Sequence, residues 1–423
     1  MMLPLQSALG MVGIIGIAWL LSERRRDVPW KSVAWGIGLQ LVLAVLLIEV
    51  PAVQHAFASL NDAVAGLTNA TRAGTSFVFG YLGGGETPYT ITNPAASFVL
   101  AFQALPLILV ISAISALLFH WKIIPAVVRG FAWTLRRTIG VDGPVGVAAT
   151  MNIFVGMVEA PLVIKPYLRT ESKAGLFIVM TGGMATVAGS VMVLYATILK
   201  DIVVNPLGQI LIASILATPA AIVISYIMVP EDPNLPRLAG EEAVVILPSE
   251  PGDNMMSVIT RGTTEGVQLV ITVTAMLIVL VALVSICNGI IGMLPDVFGS
   301  PLTLQRMFGW VMSPLALLMG IPWSEAQAAG SLLGTKTVLN ELIAYADMAK
   351  LPEGTLSERT RLIMTFALAG FANFSGLGIM IGGLVVMAPE RRQEIVSLAP
   401  RTLISGTLAT CMCGANAGLL TWT

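Results

Sequence analysis

Charge is scarce in this chain of 423 residues. Asp, Glu, Lys and Arg make up 11% of it, less than half the ~25% of ordinary soluble domains, and 23 Lys+Arg nearly cancel 24 Asp+Glu. That balance leaves no basic footprint for a nucleic acid. Histidine occurs twice, at His55 and His120. The two lie far apart in sequence, near the ends of apolar runs, so neither a metal pair nor a nucleophile–base pair is available and both are expected at interfaces. The three cysteines are Cys287, Cys411 and Cys413. Cys411 and Cys413 are too close in sequence for a structural zinc site without further ligands, and all three are expected as small buried apolar residues. No Walker, heme or nucleotide signature is present, which argues against ATP-driven work.

Apolar residues, in contrast, make up 56% of the chain, and they are concentrated. Eight stretches carry no charge: Met1–Ser22, Ser32–Ile48, Thr87–Phe119, Ala174–Leu199, Ile202–Pro230, Gly266–Pro295, Leu362–Pro389 and Thr402–Thr423. About 20 apolar residues carry a helix across the hydrocarbon core. Seven stretches reach that length and Ser32–Ile48 sits at its lower bound, so the chain reads as an all-α polytopic membrane protein. Met1–Ser22 is expected to stay as a span: no basic residue precedes it, and Arg24, Arg25 and Arg26 follow it, the reverse of a secretory signal. Counting sides alternately puts 16 Lys+Arg on one face and 7 on the other. The positive-inside rule then places both termini outside. Residues 52–80 and 120–140 read as amphipathic interfacial helices. The polar run Glu231–Asp253, with six acids, reads as a solvated cytoplasmic connection.

Two apolar regions, 143–168 and 307–348, have Gly and Pro mid-run and a carboxylate among apolar neighbours, Glu159 and Glu341. A chain that enters the membrane, breaks and returns explains both, and such backbone is tolerated at depth only beside protein or a wet cavity. The span after each region also carries a break signal: Gly183–Gly189 and Gly370–Gly376 share the pattern G-x-A-T/N-x-A/S-G. The order hairpin, broken span, second span therefore occurs twice, over about 143–230 and 307–423. By side counting the two copies run in opposite directions, the inverted repeat by which secondary transporters place a site near the midplane. A carboxylate in the membrane usually faces a cavity or a partner. Glu159 and Glu341 suit a solute with hydroxyl or amine donors, although ion pairs with Lys165 and Lys336 are an alternative. Carbonyls freed at the breaks, with oxygens of Asn152, Thr186, Asn373 and Ser375, could hold a hard cation.

NIFVGMVEAPLVIKP at 152–166, GGMATVAG at 182–189, GTKTVLNEL at 334–342 and GFANFSG at 370–376 together resemble the concentrative nucleoside transporter family, as does GTSFVFG at 74–80. The resemblance spans nearly the whole chain. It implies eight transmembrane helices plus two re-entrant hairpins per protomer, a homotrimer, and elevator-type Na⁺ symport of nucleosides, with H⁺ in some members. It divides the chain into 1–140, the N-terminal scaffold; 141–230, the first repeat of a transport domain; 231–306, a linker and scaffold span; and 307–423, the second repeat. A bacterial inner membrane with periplasmic termini follows. Glu341 then resembles the acceptor of ribose hydroxyls, with Asn373 beside it and Ser375 nearby. Glu159 resembles the carboxylate on the nucleobase side, and Phe371 and Val191 the apolar contacts. For Na⁺, Asn152 and Thr186 resemble side-chain ligands, and Val155 and Val187 carbonyl ligands; the retained Asn152 favours Na⁺ over H⁺. The family's Gly-Gln-Thr before the first Glu is Gly156-Met157-Val158 here, and its second Ser after FAN is Gly376. Base preference or affinity is therefore expected to differ from that of typical members. A carrier of another small polar solute on the same fold is the runner-up. An ion channel or a membrane enzyme has less support, the latter because no nucleophile–base or metal constellation surrounds the carboxylates.

Overall fold

The computed structural model describes residues 2–90, 98–232, 254–297, 299 and 301–421. Helices form where charge is missing, because a backbone in hydrocarbon must satisfy its own hydrogen bonds. Met2–Leu20, Trp30–Glu49, Pro206–Met228 and Arg392–Leu420 are continuous. Leu107–His120 follows a short turn of helix at Leu100–Gln103. Lys173–Ala185 and Gly189–Leu199 are halves of one span, and Glu358–Leu368 and Phe374–Met387 are halves of another. Seven units among the described residues are long and apolar enough to cross a membrane. The eighth falls short only because residues 369–373 divide it, leaving an apolar piece of 14 residues.

The charge-free run from Gly266 understated one helix. Met255–Ile291 has 37 residues and takes in Arg261 and Glu265. At 1.5 Å per residue it is about 55 Å long, well beyond the ~30 Å core, so its polar first turns extend out of the hydrocarbon. Only 6% of its apolar window is buried. It packs on Leu107–His120 through two glycines: a Cβ at Gly262 would lie 2.8 Å from the Ser112 carbonyl oxygen, and one at Gly266 3.0 Å from Leu109 Cα. Small residues of this kind let membrane helices approach backbone to backbone. Ile271, Ile278, Ile286 and Ile290 stay exposed on this helix, as a bilayer allows. Cys287 is exposed there too, so the expectation of three buried cysteines holds only for Cys411 and Cys413.

The interior is built from Lys173–Leu199, Pro206–Met228 and the last helix, whose apolar windows are 78–89% buried. The amphipathic readings become the helices Pro51–Phe79 and Ile123–Thr138. The second buries Ile124, Val128, Ala132 and Leu135 on one stripe, leaving Arg136 and Arg137 in its last turn. It packs on Gly143–Met151, the first arm of the first hairpin. The second hairpin is preceded in the same way. Residues 307–348 are not one interrupted hairpin: Leu304–Leu318 is a separate helix lying along Trp323–Val338, and the hairpin proper consists of Trp323–Val338 and Glu341–Lys350. Gly320 turns the chain between them at φ +89°, where a Cβ would sit 1.9 Å from Ser7 Oγ. In both places, therefore, a helix precedes the hairpin and packs along its first arm. Of the run Glu231–Asp253, residues 233–253 lie outside the described residues.

Ahead of the first broken span, Ser172 caps Lys173–Ala185 by accepting from Gly175 N–H at 2.8 Å. The neighbouring Glu171 is 7% exposed, and its Oε1 accepts from Ser172 N–H at 3.0 Å. Arg391 clamps the same turn from the far end of the chain, donating to the carbonyls of Leu168 at 2.9 Å and Glu171 at 2.7 Å. Burial, reinforced by Asp142 and Glu231 and opposed by the Ser172 amide and Arg391, pushes the Glu171 carboxyl up from 4.5 to about 7. The folded chain therefore holds this proton more tightly than the unfolded one. The carboxyl costs no stability below pH 4.5, and the cost grows as the pH rises through 7. Glu171→Gln is expected to stabilise the protein at pH 8 by roughly 3 kcal/mol, and to flatten its melting temperature between pH 5 and 8. Melting curves in detergent across that range check this; a variant that keeps the parental slope refutes it.

Candidate functional site

The tip of the second hairpin is the short break Leu339–Asn340. The Asn340 side chain caps the returning arm by accepting from Ile343 N–H at 3.0 Å. Glu341 is then the first residue of that arm, where a helix N-terminus favours negative charge. It is buried, and both its oxygens are engaged. Oε1 accepts from Tyr195 OH at 2.5 Å, and Oε2 from Asn373 Nδ2 at 2.8 Å. Tyr195 comes from the second half of the first broken span and Asn373 from the break in the second. Asn373 is locked in turn, because its Oδ1 caps Phe374–Met387 by accepting from Gly376 N–H at 2.6 Å. One carboxylate thus ties elements of both repeats together.

Sequence reasoning missed Tyr195. Its phenol is the one hydroxyl-bearing ring in the apolar run 189–199, which was a usable signal, and the ring rests against Tyr345 at 5.3 Å between centroids.

The first hairpin presents its carboxylate in the same way. Glu159 opens the short helix Glu159–Val163 after a tip at 152–158. Unlike Glu341 it is exposed, and it folds back over Gly156, whose Cβ would lie 2.2 Å from its Oε2. Among the described residues neither glutamate forms a direct salt bridge: Lys336 donates to Ala367 O at 2.8 Å and Thr410 Oγ1 at 3.0 Å, and its charge acts on Glu341 through space.

A cavity of about 170 Å³ lies between the two tips. Met157, Val158, Glu159 and Val191 line it from the first repeat, and Glu341, Phe371, Asn373 and Ser375 from the second, so all eight sequence-predicted substrate residues come together. Leu269, Thr272, Val273 and Met276 of the long helix close one wall. The two departures from the family pattern meet here. A Cβ at Gly376 would lie 2.5 Å from the Phe371 carbonyl oxygen and 3.4 Å from Met157 Cε. Restoring serine alone, Gly376→Ser, must therefore move the Phe371 carbonyl. It is expected to reduce uptake at least several-fold and to lower the melting temperature, rather than improve binding. Uptake kinetics and melting curves of the single variant check this. A second, larger cleft of about 860 Å³, lined by Asp62, Lys200, Asp201, Glu358 and Arg361 among others, contains none of the predicted site residues.

The four residues predicted to hold a cation lie where the first hairpin tip meets the first break. Phe154 O accepts from Gly189 N–H at 3.1 Å, joining the two segments. Asn152 is buried against Gly182, and neither its Oδ1 nor its Nδ2 has a hydrogen-bond partner. A buried amide is rarely left so. Thr186 Oγ1 donates to Gly182 O at 2.9 Å, which leaves its lone pairs free to accept. Among the described residues the carbonyls of Val155 and Val187 accept no hydrogen bond. One amide oxygen, one hydroxyl and backbone carbonyls, without a carboxylate, fit a hard cation of low charge.

A helical bundle with two broken spans, and two hairpin tips that close a small, mainly apolar cavity holding two carboxylates, has the architecture of a secondary membrane carrier. Comparison with known proteins narrows the class. Residues 9–82 match the family model of the Na⁺ dependent nucleoside transporter N-terminus, residues 101–202 the nucleoside recognition gate, and residues 209–418 the Na⁺ dependent nucleoside transporter C-terminus. An uncharacterised transporter of Haemophilus influenzae is 36% identical over 421 residues, covering 98% of this chain and 97% of that one. Mouse sodium/nucleoside cotransporter 1 is 32% identical over 414 residues, covering 94% of this chain and 61% of the longer mouse protein. CNTnw in an inward-facing, substrate-bound state superposes with a TM-score of 0.89 at 35% identity, covering 99% of this chain and 98% of that one. A CNTnw variant in an outward-facing state gives 0.88 at 34%, with the same coverage. The chain belongs to the nucleoside transporter family, and it is not an enzyme.

Proposed function

We propose that this chain takes up nucleosides by Na⁺ symport, moving them across a bacterial inner membrane with an elevator motion of residues 141–230 and 307–423 against 1–140 and the span within 231–306. The observation that carries the reading is Glu341, buried and held by Tyr195 and Asn373 from opposite repeats. Two of its roughly four acceptor positions are thereby used, and the rest are open to ribose hydroxyls. Asn373 and Ser375 complete the sugar end. Phe371 and Val191 pack against base and sugar, and Glu159, with Met157 and Val158, faces the base. With Met157 and Val158 the base meets little hydrogen bonding, so discrimination between bases rests on shape and on Glu159.

Na⁺ is the co-transported ion in this reading, held by Asn152, Thr186 and the carbonyls of Val155 and Val187. The unpartnered Asn152 amide supports Na⁺ over H⁺, because no titratable group sits among these ligands. Ion binding joins the hairpin tip to the break and lowers the cost of ordering the nucleoside site, which couples the two by linkage. The family relationship also supports a homotrimer, and side counting supports termini in the periplasm. Sodium/nucleoside cotransporters among the relatives, and CNTnw seen facing both ways, are consistent with this cycle.

The test is uptake of labelled nucleosides into proteoliposomes. Uptake should follow an inward Na⁺ gradient, collapse when K⁺ or choline replaces Na⁺, and be blocked by unlabelled nucleosides. Uptake driven by a pH gradient alone would favour H⁺, and failure of every nucleoside to compete would point to another solute.

A further inference from the structure

Breaking a helix inside a membrane leaves its last carbonyls without partners and without water. The two broken spans deal with this in different ways. Glu358–Leu368 ends with every terminal carbonyl engaged. Thr365 O accepts from Tyr345 OH at 2.7 Å, Phe366 O from Ala369 N–H at 3.3 Å, Ala367 O from Lys336 Nζ at 2.8 Å, and Leu368 O from Gly370 N–H at 2.8 Å. Lys336 is 1% exposed, and its Nζ also donates to Thr410 Oγ1 of the last helix at 3.0 Å. In the first broken span, Gly182 O accepts from Thr186 N–H at 3.2 Å and from its hydroxyl at 2.9 Å. Beyond it, among the described residues, the carbonyls of Gly183, Met184 and Ala185 accept nothing.

The groups facing the two helix ends come from matching places. Asn152 directly follows the first arm of the first hairpin, and Lys336 lies in the last turn of the first arm of the second. At one end stand an unpartnered amide and open carbonyls, a set that can accept a positive ion. At the other stands a side chain that brings its own ammonium and gathers a carbonyl and a hydroxyl around it. A flexible stem ending in three donors suits this task.

We propose that Lys336 is a resident cation: its ammonium fills the counterpart, in the second repeat, of the Na⁺ site in the first, so that a single Na⁺ accompanies each nucleoside. This rests on the Na⁺ symport reading above. The second break is held permanently, because its cation is covalently tethered and travels in and out with the chain. The first break is completed only by an ion taken from solution, so only the first repeat senses the Na⁺ gradient. For a neutral nucleoside the cycle then moves one net charge.

The experiment measures coupling in proteoliposomes with the membrane potential clamped, comparing Na⁺ moved per nucleoside and the steepness of uptake against Na⁺. The intact chain should give a ratio and a Hill coefficient of about 1. Lys336→Ala removes the ammonium and opens Ala367 O and Thr410 Oγ1 to a free ion, so its Hill coefficient should rise toward about 2, with half-saturation at higher Na⁺. Lys336→Met keeps the bulk without the donors or the space. It should lose at least about 10-fold in uptake while its Hill coefficient stays near 1. The rise confined to the alanine variant is a signature that a merely structural lysine would not produce. An intact chain that moves two Na⁺ per nucleoside overturns the proposal whatever the variants do. So do two variants whose uptake and Na⁺ dependence match the parent. Uptake by the intact chain that ignores Na⁺ refutes the symport reading itself, a result distinct from Na⁺-dependent uptake with the wrong ratio.

Discussion

Glu341→Gln is expected to lower the efficiency of nucleoside uptake by about 30-fold or more and to leave the protein folded. The variant should fold because the local network can adapt. The Asn373 amide can still donate to the new carbonyl, and the Tyr195 hydroxyl can turn to accept from the new amide nitrogen. The solute loses what the network cannot replace. Glu341 is 4% exposed, and two of its acceptor positions are taken by Tyr195 and Asn373. The glutamine has no charge and one acceptor position fewer for the solute. Hydrogen bonds to a charged group contribute about 1.5–3 kcal/mol each and neutral ones about 1, so losing one of them and weakening the other costs roughly 2–5 kcal/mol, or about 30- to 5,000-fold. Initial rates over a range of nucleoside concentrations, with size-exclusion profiles and melting curves of the same preparations, give the answer. Uptake within about threefold of the parent would remove Glu341 from the ribose role.

Asn152→Leu is expected to abolish stimulation by Na⁺ while leaving stability in Na⁺-free buffer unchanged or higher. The two parts have one cause. A buried amide with no partner contributes desolvation cost and no compensating bond, so an apolar residue of similar size removes a penalty. The same substitution deletes the one side-chain carbonyl oxygen of the cation site. Binding to the native state stabilises it by about 2.7 kcal/mol at a hundred times the dissociation constant. The intact chain should therefore melt at a higher temperature as Na⁺ is raised, and the variant should not. A variant that melts markedly lower without Na⁺ would mean that the amide serves the fold. One that keeps its Na⁺ response would displace the site from Asn152.

Most of the architecture was legible because it follows from solvation. Charge-free runs marked the spans, and the Gly-rich motifs marked both breaks. Two carboxylates isolated among apolar residues marked the hairpin tips, and each opens a helix at its tip. What could not be read depends on distant partners. The motifs at Gly183–Gly189 and Gly370–Gly376 match residue for residue in type, yet they unwind differently. Helix resumes after residues 186–188 in the first and after 369–373 in the second. Thr186 follows a helix that has just ended, whereas Asn373 caps one about to begin. The difference tracks Lys336 and Tyr345, which reach the second break from the two arms of the second hairpin and, among the described residues, have no equivalent contact at the first. Tyr195 was hidden for the same reason: its partner lies 146 residues away. The helix Leu304–Leu318 was merged with the second hairpin because its apolar run continues across Gly320, where only the backbone changes direction.

The wall contributed by Met255–Ile291 bears on how cargo travels. Leu269, Val273 and Met276 present hydrocarbon to the cavity, and the hydroxyl hydrogen of Thr272 is already committed to Gln268 O of its own helix at 2.8 Å. A solute gripped by the two glutamate-bearing tips would slide past a surface whose one hydrogen-bonding group among these four residues is the Thr272 hydroxyl, left only as an acceptor. Under the proposed elevator motion, grip on one side and a slick rail on the other would keep the free-energy profile of the crossing smooth, and the slow step of transport would be set by how the halves of the protein repack rather than by where the nucleoside pauses.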